Sequence, residues 1–436
     1  MAMRLVNVDR QTPMLLPPSL NEWVQGDDLV HFLIDCVETM NVAGAVVNER
    51  GTGSEQYPPN MMLALLIYCY ANGIFSSRKI EKATYQHVAV RYITANHHPD
   101  HDTIAEFRRK NGVLIQQAFV QLLRMSRALG VLKVGQLVID GTKIAAATTK
   151  RQTKSYRELQ EELSQLNAQV QELMEKAAAA EQQDQSPELP AELADVQKRR
   201  EKLQSALAMI EEQTRQAHEE REKQRNEPKD PSGDKPRALP PKPKETATIN
   251  LTDPESKLTP VAGKRFIQGY NAQLAVEAQS GLIVATDVVR DTSDLQQLAP
   301  MVNKSIESGY RAERVIVDTG YENIRQIRTV QKQHRLKILC PPTKVANADP
   351  QHPGKRPWRR MSKRFRELMR QKLKTRRGRA LYALRGSTIE PIFGILKSAL
   401  GFRAFHLRGL QKVRIEWTLL ALAFNCKRLL RRAGAA

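Results

Sequence analysis

The chain has 436 residues and a net charge of +21 at neutral pH, with 41% apolar and 26% charged residues. This length and composition predict two to four soluble folding units. The longest apolar runs are shorter than a membrane span of about 20 residues, and the four scattered cysteines form no C-x-x-C pair. We therefore expect no membrane association, no disulfide scaffold and no cysteine-type zinc site, and a reducing cytoplasm as the compartment.

The positive charge is concentrated in the last fifth of the chain. Residues 351–436 contain 23 lysines and arginines against three glutamates, whereas residues 1–350 are nearly balanced. A focused basic surface predicts a polyanionic partner, with nucleic acid as the leading candidate. A solvated basic tail is the alternative, but apolar residues at helical spacing in this segment favour a folded binding surface.

Residues 1–125 are predicted to be a helical domain. Apolar residues recur at helical spacing over Asp28–Met40 and Pro59–Ile74, and Thr103 and Glu106 match a capping box that opens a further helix. Neighbouring histidines and aspartates invite a metal-site interpretation, but turn and cap roles are favoured because no second ligand cluster lies nearby in sequence. These neighbours are His97, His98, Asp100, His101 and Asp102.

A short buried strand is predicted over Gln136–Ile144, ending near Asp140-Gly141. Heptad-like apolar spacing then predicts an antiparallel helical hairpin, 155–181 and 188–225, with a turn at QSPELP. A Pro- and Lys-rich stretch after it predicts an extended linker. Residues 151–248 are therefore interpreted as an insertion. Its heptads could pack within the chain, which we favour, or pair two protomers.

A globular pattern resumes after the insertion. The predicted elements are a β-hairpin of strands 268–278 and 282–289, a helix over 293–308, a strand over 314–318 that ends at Asp318, a helix over 321–332, a strand over 337–340, and helices over 387–400 and 410–431. The basic region 354–379 precedes the helix that carries Glu390.

Three acids are the catalytic candidates: Asp140 and Asp318 at strand ends, and Glu390 on the later helix. Acids at strand ends of an α/β sheet point to the carboxyl edge, where ligands bind. Carboxylates without a His or Cys partner favour Mg²⁺ or Mn²⁺. Two such ions beside a basic surface suit phosphodiester chemistry. Taken singly, Asp140 and Asp318 could instead be ordinary caps of helices or turns.

The order of elements is typical of a ribonuclease-H-like core, and several blocks resemble a known family. The chain resembles bacterial insertion-sequence transposases of the DDE type over nearly its whole length. The matching blocks are YPPNMMLALLIY, PDHDTIAEFRR, VIDGTKIAA, NLTDPESKL, GYNAQLAVE, VIVDTGYEN and STIEPIFGILK.

The resemblance implies an α/β ribonuclease-H-like catalytic core with a mixed five-stranded sheet, an all-α N-terminal domain and the inserted hairpin. The implied domains are 1–125 for DNA binding, a catalytic domain split into 130–150 and 249–436, and the insertion 151–248. It also implies that Asp140, Asp318 and Glu390 are catalytic and bind two Mg²⁺ or Mn²⁺ ions.

The family signature Y-x2-R-x3-E-x6-K is matched by Tyr382, Arg385, Glu390 and Lys397, with four residues in the middle gap instead of three. That gap places Arg385 about 140° around a regular helix from Glu390. The resemblance gives these basic and aromatic residues a DNA-binding role, in which Lys397 could hold a phosphate near the metal site. A solvated lysine is the alternative for Lys397.

The implied activity is binding of terminal inverted repeats, followed by metal-dependent strand cleavage and transfer into target DNA. It further implies a homodimer on double-stranded DNA, in the bacterial cytoplasm at the nucleoid. Sequence-specific contacts are assigned to the N-terminal domain, with Arg78, Lys79, Lys82, Arg108, Arg109 and Lys110 as candidates. A DNA-binding protein that has lost catalysis and a plain metal-dependent nuclease are the alternatives.

Overall fold

The computed structural model describes residues 19–47, 56–181, 191–225, 242–261, 263, 265–342 and 357–433. The chain divides into two compact units, Met1–Lys133 with Thr418–Ala436, and Val134–Trp417. The predicted domains kept 249–436 together, whereas the last helix contributes residues to both units. Within the described segments, no helix combines the length and apolarity needed to cross a membrane.

The described part of the first unit is helical, as predicted. Its elements before the last helix are α1 Leu20–Trp23, α2 Leu29–Glu38, α3 Pro59–Ala71, α4 Ser77–Gln86, α5 Val88–Ile93, α6 His101–Lys110 and α7 Gly112–Ala128. Asp28 caps α2 by accepting a hydrogen bond from the Val30 backbone N–H at 2.9 Å. Pro59 opens α3, which is buried on nearly all sides.

The start of α6 corrects the predicted capping box. Asp100, not Thr103, is the N-cap, because its carboxylate accepts the backbone N–H groups of Asp102 and Thr103, each at 2.8 Å. The neighbouring histidines bind protein groups: His101 pairs with Glu81 at 2.9 Å and His98 with Thr84 at 3.1 Å. The favoured turn and cap interpretation of this segment agrees with these contacts.

The second unit is built on a mixed sheet. Its elements are β1 Gln136–Ala145, β2 Thr153–Ser155, α8 Tyr156–Glu181, α9 Ala191–Arg225, β3 Thr248–Asn250, β4 Lys257–Val261, β5 Arg265–Glu277, β6 Ile283–Val289, α10 Leu298–Glu307, β7 Arg314–Ile316, α11 Ile324–His334, β8 Lys337–Leu339, α12 Pro357–Lys374 and α13 Arg376–Gly394. The last helix, α14 Leu410–Ala433, belongs to this unit only up to Trp417.

The strand order is β4-β5-β1-β7-β8, with β6 also paired to β5, so the sheet has six strands where five were predicted. β1 is antiparallel to β5 and parallel to β7, which is in turn parallel to β8. Helix α10 packs on β5 and β6, and α13 packs on β1, β5 and β7. This arrangement confirms the predicted ribonuclease-H-like core.

Helices α8 and α9 pack against each other in antiparallel directions. Tyr156 at the start of α8 donates to Glu211, whereas Glu162, further along α8, accepts from Arg199, which lies earlier on α9. Their shared core contains Leu159, Leu166, Leu203, Ala206, Ile210 and Ile249. The strands β2 and β3 pair at the base, so the chain leaves and returns at adjacent positions. The predicted turn and most of the predicted linker lie outside the described residues.

Helix α13 begins at Arg376, well before the predicted start at Ser387. Thr375 caps it by accepting the Gly378 backbone N–H at 2.9 Å, an N-cap that the sequence pattern did not reveal. The helix is followed by a π-helical turn, Ile395–Ala399, which contains Lys397. Such turns arise where the regular hydrogen-bond ladder is interrupted, and Pro391, inside α13, lacks the N–H group that the ladder needs.

Candidate active site

The site lies at the carboxyl end of the parallel strand pair. Asp140 does not end β1 as predicted, since the strand continues to Ala145. The parallel pairing with β7 stops, however, at Val138 opposite Ile316. Asp140 and Asp318 each stand two residues beyond that last pair. The matching offset brings the two acids to the same open edge of the sheet, where ligands of α/β folds bind.

Each aspartate uses its two carboxylate oxygens differently. Oδ1 of Asp140 accepts the Gly141 backbone N–H at 2.9 Å, and Oδ1 of Asp318 accepts the Gly320 backbone N–H at 2.8 Å. Asp318 is thus a cap of a short 3-10 turn, Thr319–Tyr321. Neither Oδ2 atom is needed for these backbone hydrogen bonds, and both face Arg385. The cap role and a place in the site are therefore compatible for the same side chain.

Arg385 on α13 links the three acids. Its Nη2 lies 2.7 Å from Oδ2 of Asp140 and 3.8 Å from Oδ2 of Asp318, and its Nη1 lies 3.6 Å from Oε1 of Glu390. Because both distances start from the same Nη2 atom, the Oδ2 atoms of Asp140 and Asp318 are well within roughly 10 Å of each other, the limit for sharing a two-ion cluster. Arg385 and Glu390 were expected to lie about 140° apart around the helix. They are nevertheless in contact, because the arginine side chain is long enough to reach the carboxylate.

Burial sets the protonation of the site. Asp140 is nearly enclosed, and burial raises its pKa to about 6, although the Arg385 charge and hydrogen bond oppose that rise. Burial also raises the pKa of Asp318, again against the Arg385 charge. Burial acts to lower the pKa of Arg385, but the charges of Asp140 and Asp318, together with the hydrogen bond, raise it overall. The guanidinium therefore stays charged.

Two lysines lie near Asp140: Lys143 on the same strand, β1, and Lys397 on the turn after α13. Nζ of Lys397 donates to Oγ1 of Thr142 and, at 3.1 Å, to the carbonyl oxygen of Lys143. Lys397 is therefore held against the strand that carries Asp140 and is not a solvated side chain. Nζ of Lys143 is buried without a hydrogen-bond partner and lies 3.8 Å from Oδ1 of Asp294. Tyr382 is half-buried on α13.

Asp294 is a fourth acid that the sequence interpretation missed. Its Oδ1 accepts hydrogen bonds from the side-chain amides of Asn271 and Gln273, each at 2.7 Å. Gly141 makes room for it, because a Cβ at that position would lie 2.6 Å from this oxygen. The sequence pattern placed Asp294 in a helix predicted over 293–308, whereas α10 begins at Leu298 and Asp294 lies in the loop before it. No strand end therefore marked this acid as a candidate. The polar Asn271 and Gln273, buried in the middle of β5 among apolar neighbours, were the available hint that a charged group packs there.

The N-terminal candidates separate by exposure. Arg78, Lys79, Lys82, Arg109 and Lys110 are exposed, and Lys110 pairs with Glu106 at 2.5 Å. Arg108 corrects the prediction of a DNA contact. It is 4% exposed and donates to the Tyr70 hydroxyl at 2.7 Å and to the Phe75 carbonyl at 2.9 Å. Its Nη1 and Nη2 groups donate inside the helical unit and its Nε is buried, so the side chain does not reach a DNA surface.

The donor chemistry of the site fits a hard divalent cation. Asp140, Asp318 and Glu390 present only carboxylate oxygens, the ligands that Mg²⁺ and Mn²⁺ prefer, and they already face one positive group. Across the described segments, however, no three His, Cys, Asp or Glu side chains are grouped closely enough to hold an ion, and the positive group among these acids is Arg385.

The sheet order and the acids at its carboxyl edge define a protein with a ribonuclease-H-like catalytic core. A transposase DDE domain model matches residues 242–426, which include Asp318 and Glu390. A second model, a transposase domain (DUF772), matches residues 18–110. Together the two matches cover more than half of the chain, which belongs to the insertion-sequence transposases of the DDE type.

Membership implies a DNA-binding and DNA-cleaving enzyme of a family that uses divalent metal ions. Asp140 lies outside both matched ranges, so its place in the site rests on the strand register and on the Arg385 contact. No curated protein and no solved structure matches the chain.

Proposed function

We propose that the chain binds the terminal inverted repeats of its insertion sequence, cuts the DNA at the element ends and transfers the freed strands to target DNA. Asp140, Asp318 and Glu390 would be its catalytic acids. The observation that supports this most directly is that one guanidinium contacts all three carboxylates, from a strand, a turn and a helix that are distant in sequence.

The three carboxylates would hold two Mg²⁺ or Mn²⁺ ions. When bound, such ions lower the pKa of water and neutralise the charge that builds up on phosphate oxygens. The protein's part is to fix the carboxylate oxygens. The backbone N–H groups of Gly141 and Gly320 each hold one oxygen of the preceding acid and leave the other free. No protein nucleophile is needed for phosphodiester attack.

Lys397 would bind a DNA phosphate close to the acids. Its contacts with Thr142 and Lys143 hold the ammonium group over the strand that carries Asp140. A fixed positive charge there would orient the phosphodiester and favour in-line attack. Exposed arginines at the start of α13, Arg376, Arg377 and Arg379, extend the same helix with phosphate-binding groups.

The N-terminal helical unit would recognise the terminal repeats through Arg78, Lys79, Lys82, Arg109 and Lys110. The two ends of one element must be brought together before their strands are transferred to target DNA, so we propose a homodimer on DNA. Because the α8–α9 apolar core is buried within one chain, the dimer would form through DNA and other surfaces rather than through those heptads. The compartment would be the bacterial cytoplasm, at the nucleoid.

The test uses DNA from the ends of the element, incubated with the full chain and Mg²⁺ or Mn²⁺. We expect nicks at the repeat termini and joining of the labelled strands into a target plasmid. Binding without nicking would support a protein that has lost catalysis. Nicking without joining, on any sequence, would support a plain nuclease. Short inverted repeats flanking the reading frame provide the substrate, and a scrambled repeat is the matched control.

A further inference from the structure

We propose that Arg385 is a built-in counter-ion that competes with divalent cations for the three acids, so that the DNA-free chain binds metal weakly. This inference rests on the proposed function of Asp140, Asp318 and Glu390. It concerns when the site accepts an ion, which the family assignment leaves open.

The geometry places the guanidinium where an ion would have to bind. Nη2 is within hydrogen-bond distance of Asp140 and within ion-pair distance of Asp318, and Nη1 reaches Glu390. The Oδ2 atoms of the two aspartates are the oxygens left free by the backbone hydrogen bonds. An ion needs these same oxygens at roughly 2.0–2.6 Å. An ion bound to these oxygens at those distances would lie close to the Arg385 guanidinium, and the two positive charges would repel each other.

The guanidinium is enclosed but incompletely hydrogen-bonded. The Arg385 side chain is 19% exposed, and its Nε is buried without a hydrogen-bond partner. An unsatisfied buried donor on a charged group is costly, so this arrangement is held by the acids and not by a full set of hydrogen bonds. The Arg385 side chain could therefore move to another anion that provides better hydrogen bonds.

A phosphate group of bound DNA would be that anion. Arg385 lies on α13, downstream of the exposed Arg376, Arg377 and Arg379. A phosphate backbone bound along this helix would bring oxygens with the bidentate geometry that arginine prefers. Transfer of Arg385 from the carboxylates to a phosphate would free the acids. Metal binding and DNA binding would then strengthen each other by the same factor, as thermodynamic linkage requires.

The test measures Mn²⁺ affinity of the full chain without DNA, by electron paramagnetic resonance of free Mn²⁺. Arg385→Ala should bind Mn²⁺ about tenfold more tightly than the wild type, a factor typical of coupled sites. Arg385→Gln, which keeps the bulk of the side chain and removes its charge, should behave alike. Arg370→Ala is the matched control, because it breaks an exposed arginine–carboxylate pair with Glu367 outside the site.

Addition of terminal-repeat DNA should tighten Mn²⁺ binding by the wild type but not by Arg385→Ala. Equal or weaker Mn²⁺ binding by both folded Arg385 variants, checked by circular dichroism, would overturn the inference. Asp140→Asn distinguishes this failure from failure of the proposed function. If Asp140→Asn leaves Mn²⁺ affinity unchanged, the acids themselves are misassigned. If Asp140→Asn weakens Mn²⁺ binding but the Arg385 variants do not bind Mn²⁺ more tightly, the acids are correctly assigned. In that case only the proposed competition between Arg385 and the ion is wrong.

Discussion

Lys397 donates a hydrogen bond to the carbonyl oxygen of Lys143, three residues beyond Asp140 on the same strand. This contact ties the π-helical turn after α13 to the strand that carries a proposed catalytic acid. It also restrains a long side chain that would otherwise be free to move.

Lys397→Ala should weaken binding of repeat-end DNA and reduce end cleavage by about 10–100-fold, because a fixed phosphate-binding charge is lost. In a plot of the logarithm of the DNA association constant against the logarithm of the salt concentration, the magnitude of the slope should fall by about one. Lys412→Ala, at an exposed position of α14, is the control and should leave cleavage close to the wild type. Gel shifts across a salt series with single-turnover cleavage provide the measurement, and equal effects from both lysines would contradict the assigned role.

Asp140→Asn, Asp318→Asn and Glu390→Gln should each reduce metal-dependent cleavage by at least about a hundredfold, since losing a ligand costs more than losing an outer contact. DNA affinity should be retained. Asp291→Asn, which removes an exposed carboxylate paired with Lys257, should cleave normally. A near-normal cleavage rate in any of the three site variants would show that the wrong acid was chosen.

Metal affinity should depend on pH through Asp140. Because burial raises its pKa to about 6, the carboxyl is increasingly protonated below that pH, and an ion must displace the proton. Mn²⁺ affinity should therefore be constant above neutrality and fall roughly tenfold for each pH unit below about 6. Titrations from pH 5 to 8 test this. Affinity that is flat between pH 5 and 7 would count against Asp140 as a ligand.

In the Arg385→Ala variant, the pH dependence of Mn²⁺ affinity should shift in a known direction. The Arg385 charge opposes the rise of the Asp140 pKa, so its removal should move the midpoint to higher pH.

Gly141→Ala should destabilise the second unit by about 1–3 kcal/mol, as overpacking of a tight core does. Its new Cβ would lie 2.6 Å from Oδ1 of Asp294, and the surrounding amides of Asn271 and Gln273 are already hydrogen-bonded. Gly26→Ala, where no atom lies within 4 Å of the new Cβ, is the matched control. Denaturant melts of both variants measure the difference. Equal stability of the two variants would show that Gln273, Asp294 and Asn271, which all lie within 3.0 Å of the new Cβ, can move aside.

Arg108 and Arg109 are adjacent in sequence and should respond differently to truncation. Arg108→Ala removes two buried hydrogen bonds, to the Tyr70 hydroxyl and to the Phe75 carbonyl, and should cost about 2–3 kcal/mol of stability. Arg109→Ala, at an exposed position, should change stability by no more than about 0.5 kcal/mol while weakening binding to terminal repeats. Thermal melts and gel shifts distinguish the two outcomes, and the reverse pattern would refute both assignments.

Local sequence patterns predicted that these helices exist, but they did not predict every residue at which a helix begins. Asp28 and Pro59 marked helix starts that the structure has, because caps and prolines act within one turn. Asp100 displaced Thr103 as the cap of α6, and α13 began earlier than expected, because several nearby residues can satisfy the same backbone donors. Apolar periodicity does not distinguish between them.

The sequence by itself determined most of the strand and helix order, the concentration of basic residues and three candidate acids, since all of these are local or compositional. Only the tertiary structure decided that Arg385 contacts those acids, that Arg108 is buried and that Asp294 packs beside Gly141. These relationships depend on strand register and side-chain reach between segments far apart in the chain. Local spacing carries no information about which distant group will occupy a given side of the fold.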